Sequence, residues 1–249
     1  GGGAGADPAG DRVVEAGATR DPRDVEGLAQ FTTRGLAEGT GDMDALQLAT
    51  RLEMLGTTID TGADWDSAIV QLTALATRVD DAMAVLAEVL RYPAFPEREL
   101  ERMRAERRAD LAQLRAEPRG LSDVFFSRLL YDPASRFARL AGGDERSVER
   151  LTREAVQAFH AEYYRPDATA LMLVGDIDVE HAVRLATRCF GDWTGSAPPV
   201  TEPLAASRFA ESRVHLVHKA DAPQSEVRVG HVAIPRLHED YFPVVVMNA

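Results

Sequence analysis

One short stretch, residues 26–40, carries polar residues at the spacing that a metal-dependent hydrolase needs. Gln30, Thr33 and Arg34 stand at i, i+3 and i+4, so a helix is expected to place them side by side on one surface. Such a hydrolase uses two metal ligands one helical turn apart with a carboxylate beside them. Here the three positions hold an amide, a hydroxyl and a guanidinium. The frame of a catalytic helix is therefore present, but its chemistry is replaced.

The composition limits the classes of partner. The chain has 249 residues, enough for one large domain or one and a half ordinary ones, and a net charge of −12. An acidic balance without a block of Lys or Arg argues against nucleic acid as the main partner. No segment approaches the roughly 20 apolar residues of a membrane span. The single cysteine, Cys189, excludes an internal disulfide and leaves the compartment of this soluble chain open between cytoplasm and periplasm.

Hydrophobic periodicity and turn residues predict helices alternating with short strands. The predicted helices are residues 26–40, 42–55 (capped by Asp42 and ended by Gly56), 79–90, 96–116, 121–131, 147–164 and 179–190, with a further one beginning at 240. The predicted strands are residues 12–18, 57–63, 68–76, a buried strand at 168–174, and 213–219 and 226–234. The predicted fold class is α+β, a mostly antiparallel sheet with helices packed on one face. His160 and His181 are expected on exposed helix surfaces.

The order of these elements predicts the domain organisation. Residues 1–11 are expected to be a flexible N-terminal segment, and residues 12–195 a first domain. Residues 196–208 are rich in Pro, Ala and Ser, as expected of a linker. Residues 209–249 open like residues 12–40, with a strand, an acidic turn and a helix. They are therefore expected to begin a second, similar domain that is incomplete.

Several stretches in order resemble the pitrilysin/insulinase family of zinc peptidases, which includes the processing peptidases. They are residues 27–40 (GLAQFTTRGLAEGT), 52–62 (LEMLGTTIDTG), 86–108, 151–178, 189–193 (CFGDW) and 222–231 (APQSEVRVGH). In active members the first helix carries an H-x-x-E-H motif, whose histidines bind zinc and whose glutamate activates water. A second glutamate far downstream completes that site.

The resemblance places the motif positions on Gln30, Thr33 and Arg34, and the downstream ligand near Gln113. Neutral amides bind zinc poorly beside imidazole and carboxylate, and Thr33 cannot take a proton from water at neutral pH. Arg34 would set a fixed positive charge where the metal should lie. The resemblance thus implies no catalytic residue and no metal in this chain, with zinc expected in a partner.

The family works as two halves, fused or separate, of which one typically carries zinc. The resemblance implies that this chain is the zinc-less half, which forms the peptide-binding chamber with a zinc-bearing peptidase subunit and holds unfolded peptide. An alternative is a structural scaffold or assembly protein without a role in hydrolysis. A third hypothesis is independent hydrolysis by an altered site.

The strand predicted at residues 57–63 is a candidate for substrate binding. Thr57, Thr58, Ile59 and Asp60 follow the second helix, where active halves offer a strand edge to which an extended peptide adds. The alternative is that this edge is only exposed to solvent or pairs with a neighbour.

Overall fold

The computed structural model describes residues 9–199, 206–220, 224–236 and 238–248. Residues 1–8 of the predicted flexible segment and residues 200–205 of the predicted linker lie outside the described residues. The chain divides into two compact units. The first contains Gly1–Leu111 and Leu140–Glu202, and the second contains Ala112–Arg139 and Pro203–Ala249. The division into domains at 12–195 and 209–249 stays a prediction.

A four-stranded antiparallel sheet in the order β2-β3-β1-β4 organises the first unit. Its strands are β1 (Ala9–Val14), β2 (Ile59–Ala63), β3 (Ala68–Thr73) and β4 (Thr169–Val174). The β3 residues Ala68, Val70 and Leu72 are buried and alternate with exposed neighbours, so helices cover one face of the sheet. The predicted α+β class with an antiparallel sheet is confirmed.

Two strand predictions need correction. The first strand begins at Ala9 rather than at residue 12 and ends at Val14. The strand predicted as buried at 168–174 is instead the edge strand β4, whose residues alternate between half-buried and exposed. Its apolar composition misled the prediction, because Met172 and Val174 are exposed on an edge strand.

Helices form most of the remainder of the first unit. They are α1 (Leu28–Gly35), α2 (Ala45–Leu55), α3 (Val79–Arg91), α4 (Glu97–Ala116, which continues into the second unit), α6 (Glu145–Val148), α7 (Arg153–Tyr163) and α8 (Val179–Phe190). Among the described residues, no helix has the length and apolar character needed to cross a bilayer.

Capping side chains explain where three of these helices begin. Asp44, not the predicted Asp42, caps α2, since its carboxylate accepts the Gln47 N–H at 2.8 Å in a capping box. The single helix predicted at 147–164 is two helices, because Asp144 caps α6 and Thr152 caps α7.

The second unit contains α5 (Pro118–Leu130) and α9 (Tyr241–Met247). The apolar face of α5 is only half-buried, and it consists of Phe125, Phe126, Leu129 and Leu130. The described residues of the segments predicted as strands at 213–219 and 226–234 form no strand, and Val214 and Leu216 are exposed. β-Branched residues form a strand only where a neighbouring strand pairs with them, and none does so there.

Candidate functional site

The helix α1 is fixed at its N-terminus by a buried carboxylate. Asp21, which is 1% exposed, accepts the Gly27 N–H and the Ala29 N–H, each at 2.7 Å. These bonds satisfy N–H groups that the helix itself leaves unpaired, and they place negative charge at the positive end of its dipole. Gly27 has a left-handed φ of 95°, and a Cβ there would lie 2.6 Å from the Gly142 carbonyl oxygen. The start of α1 and the loop at Gly142 are therefore closely packed.

The side chain of Thr33 points into the protein interior. Its side chain is fully buried, and its hydroxyl donates to the Ala29 carbonyl at 2.7 Å and lies 2.8 Å from the Tyr164 hydroxyl. Tyr164 is also buried, which raises the pKa of its hydroxyl. The expectation that Gln30, Thr33 and Arg34 share one surface is wrong for Thr33. A helix turns about 100° per residue, so positions 33 and 34 lie about 60° and about 40° to either side of position 30, and about 100° from each other.

Gln30 and Arg34 lie on the more open side of α1, and each has a partner. The Gln30 side-chain N–H donates to the Ala63 carbonyl at the end of β2 at 3.1 Å. Arg34 forms an ion pair with Glu106 on α4. The Glu106 carboxylate also accepts from Arg102 at 2.6 Å, and these two guanidiniums hold the pKa of Glu106 below its ordinary value, Arg102 foremost. Arg34 thus joins α1 to a network of charges on α4.

A cavity of about 130 Å³ lies beside these residues in the first unit. Gln30 and Arg34 line it from α1, and Arg107 and Asp110 line it from α4. Thr33 and Gln113 are not among its lining residues. A Cβ at Gly142 would lie 2.7 Å from both the Gln30 amide oxygen and the Arg107 guanidinium, so these polar groups converge on the loop.

The carboxylate of α4 that lines the cavity is Asp110, whereas Gln113, predicted near the position of the downstream ligand, does not line it. The Gln113 side chain donates to Glu117, one turn further along the chain, at 2.9 Å. Met103, Arg107 and Asp110 line the cavity at spacings of four and three residues, which is one face of a helix. This spacing was present in the sequence and would have identified both Arg107 and Asp110.

The residues around the cavity do not fit the zinc that active members of the family bind. Zinc in proteins is bound by imidazole, thiolate and carboxylate groups. The lining polar side chains are one amide, two guanidiniums and one carboxylate. In the part of the chain that the structure describes, no group of three or more His, Cys, Asp and Glu residues could hold a metal ion.

Behind Thr33, an aromatic stack contains a histidine that was expected at the surface. The His160 ring stacks on Tyr164 with 4.8 Å between centroids, and Nε2 lies 2.8 Å from the Leu90 carbonyl. Burial lowers the pKa of His160 to about 4, although the bond to Leu90 acts in the opposite direction. His181 does lie nearer the surface, with Nε2 2.9 Å from Asp80.

The predicted substrate-binding strand lies at a sheet edge. β2 is the terminal strand of the sheet, and Asp60 is exposed while Ile59 is half-buried. Thr58 is exposed just before the strand, whereas Thr57 is buried and donates to the Thr73 carbonyl at 2.5 Å. Peptide binding at this edge stays a prediction.

This α+β architecture is shared with solved peptidase domains. A crystal structure described as a peptidase M16 inactive domain from Pseudomonas fluorescens superposes with a TM-score of 0.73 at 26% identity. The match covers 79% of this chain and 48% of that one.

Sequence comparison identifies the family. The model described as "Insulinase (Peptidase family M16)" matches residues 12–141, and the model described as "Peptidase M16 inactive domain" matches residues 150–249. The chain therefore belongs to the insulinase family of peptidases, M16, and the resemblance seen in the sequence is confirmed.

Two curated relatives match almost the whole chain. The probable mitochondrial-processing peptidase subunit beta of Schizosaccharomyces pombe is 25% identical over 95% of this chain and 52% of its own length. The cytochrome b-c1 complex subunit 1 of Caenorhabditis elegans is 25% identical over 94% of this chain and 49% of its own length. The chain spans about half the length of these relatives.

The buried pair of hydroxyls gives a first prediction. Thr33→Val leaves the Tyr164 hydroxyl buried without its partner and is expected to lower the free energy of unfolding by about 1–3 kcal/mol. Combining it with Tyr164→Phe should cost less than the sum of the two single changes, because both polar partners are then removed. Urea denaturation of the four proteins measures the coupling.

The matched control is Thr50→Val on α2, where an exposed hydroxyl makes the same bond to the carbonyl four residues earlier, at 2.8 Å. It should change the free energy of unfolding by no more than about 0.5 kcal/mol. Additive effects of the Thr33 and Tyr164 substitutions would contradict the described contact.

His160 gives a prediction for pH. Its pKa in the folded chain, about 4, lies below its ordinary 6.5, so protons bind preferentially to the unfolded chain. The stabilisation is therefore fully present above pH 6.5 and declines as pH falls towards 4, by up to about 3 kcal/mol. His160→Phe should flatten this part of the profile of unfolding free energy against pH. Replacing the exposed His218 with Gln should leave it unchanged, and equal profiles for wild type and His160→Phe would refute the assignment.

Proposed function

We propose that this chain is the catalytically inactive half of a two-part zinc peptidase and forms the peptide-binding chamber with a zinc-bearing partner of the same family. The observation that carries the proposal is the set of contacts made by the residues at the three motif positions on α1. Thr33 is buried against Tyr164, Gln30 is bonded to Ala63, and Arg34 is paired with Glu106. None of them is a competent zinc ligand or a base that could activate water.

The curated relatives support a partner of the same kind. The Schizosaccharomyces pombe relative is named as one subunit, beta, of a processing peptidase. In an enzyme built from two halves, one half can bind the catalytic metal while the other provides a surface that orients the substrate. The edge strand β2, with exposed Thr58 and Asp60, is the proposed element for holding an extended peptide.

A second candidate function is a scaffold without a role in hydrolysis. The Caenorhabditis elegans relative favours it, because that protein is named as a subunit of the cytochrome b-c1 complex. The two functions differ in one measurable property, which is whether the assembled pair cleaves peptides.

The test is reconstitution with a family member that carries H-x-x-E-H. We expect this chain to co-purify with that polypeptide and to raise its kcat/KM for peptide cleavage by at least about tenfold, or 1.4 kcal/mol of transition-state stabilisation. Replacing the motif glutamate of the partner with Gln should abolish cleavage by the pair, since this chain supplies no base.

Two outcomes would overturn the proposal. A stable complex without peptidase activity would establish the scaffold, and cleavage by this chain alone would establish an altered active site. Thr50→Val is the control variant within this chain, because Thr50 is exposed on α2 and belongs neither to β2 nor to the wall of the cavity. It should leave the activity of the pair within about twofold, corresponding to 0.4 kcal/mol.

A further inference from the structure

Arg107 is a charged residue of the cavity wall that does not belong to the three motif positions. Its Nε donates to the Gly142 carbonyl at 3.0 Å, and its Nη2 donates to the Gly143 carbonyl at 3.1 Å. A guanidinium has five N–H donors. Within the described part of the chain, the two carbonyls are the only hydrogen-bond partners of Arg107, so the N–H groups of its Nη1 have no partner there.

The charge of Arg107 also lacks a close counterpart. Its neighbours on α4 are paired, since Arg102 contacts Glu38, Glu99 and Glu106, and Arg104 contacts Glu97 and Glu101. Across the described residues, no carboxylate forms an ion pair with Arg107. Burial is the main influence on its guanidinium and lowers its pKa, while Asp110 and Glu145 oppose that effect through longer-range attraction. A partly desolvated cation of this kind gains free energy from an anion that can reach it.

The cavity has the size and the lining for a small anion. Its volume of about 130 Å³ equals roughly four water molecules in the liquid. Arg34 contributes a second guanidinium to its wall, and the Glu106 that pairs with Arg34 is shared with Arg102. Asp110, also on the wall, is exposed and carries one negative charge. That charge disfavours a phosphate dianion relative to a singly charged carboxylate.

We propose that this cavity binds a carboxylate group of the peptide, with Arg107 donating to its oxygens and Arg34 supplying a second positive charge. The proposal rests on the proposed function for the identity of the ligand as a peptide. Planar guanidinium groups match the two oxygens of a carboxylate, which is why Arg rather than Lys serves in such sites. Two sources share this chemistry, the C-terminal carboxylate of the peptide and an Asp or Glu side chain.

The experiment measures the affinity of the wild-type chain for four fluorescent peptides by anisotropy. The first pair shares a sequence without acidic residues and differs only in a free or an amidated C-terminus. The second pair is amidated and differs only in Glu or Gln at one position. We expect one carboxylate peptide to bind at least about tenfold more tightly than its neutral counterpart, and the pair that shows the difference identifies the source. Measurable binding with equal affinities within both pairs would overturn the proposal.

A second measurement separates this proposal from the proposed function. Sodium acetate, compared with sodium chloride at equal ionic strength, should shift the Nε–Hε resonance of Arg107 in NMR spectra of the whole chain. An acetate shift without any peptide binding would support the carboxylate site and contradict the peptide-binding half. No acetate shift and no discrimination between peptides would overturn the carboxylate site, even where the chain activates its partner.

Substitutions complete the test. Arg107→Gln should remove the tenfold preference and the acetate effect, and retained preference would overturn the proposal. The matched control is Arg108→Gln on the same helix. The Arg108 side chain is 46% exposed, and its guanidinium lies 4.0 Å from the Glu101 carboxylate. This control variant should keep the preference. Arg107 also donates to the carbonyls of the loop at Gly142, so circular dichroism is used to check that the Arg107→Gln variant folds. If that variant does not fold, the comparison of peptide affinities on the wild-type chain tests the carboxylate site.

Discussion

The hydrogen bond between the buried hydroxyls of Thr33 and Tyr164 is the contact on which the arrangement of this site depends. It connects α1 with the end of α7, and both side chains are almost completely removed from water. A buried polar group needs a partner, so each hydroxyl fixes the other. A carboxylate at position 33 would enter a closed contact of neutral groups, where burial disfavours its charge. Position 33 is thereby part of the protein core.

The more open side of α1 carries polar and charged side chains. Gln30 and Arg34 face a small cavity whose other polar wall is Arg107 and Asp110. Two guanidinium groups therefore line this cavity, and guanidinium groups attract anions and do not coordinate cations. The ion pair of Arg34 with Glu106 connects α1 with α4, and Glu106 also pairs with Arg102 on α4.

Local signals in the sequence predicted much of the fold. The helix at 179–190 was predicted with the bounds of α8, and Gly56 does end α2 in a left-handed conformation. Competition between neighbouring acids was harder to judge, because Asp42 and Asp44 are both suitable caps and only Asp44 reaches a free N–H. The strands expected at 213–219 and 226–234 failed for a non-local reason, since strand formation depends on a pairing neighbour. The prediction for Thr33 failed for a similar non-local reason, because helical spacing alone does not show that its hydroxyl bonds to the buried Tyr164.

The most direct measurement of the central claim is the zinc content of the chain. The protein would be dialysed against excess zinc, separated from free metal and analysed by mass spectrometry for bound metal per chain. We expect far less than one zinc per chain, and the same result for the Arg34→Ala variant. One zinc per wild-type chain, lost on substitution of Gln30 or Asp110, would show that the cavity is a metal site and would contradict the account.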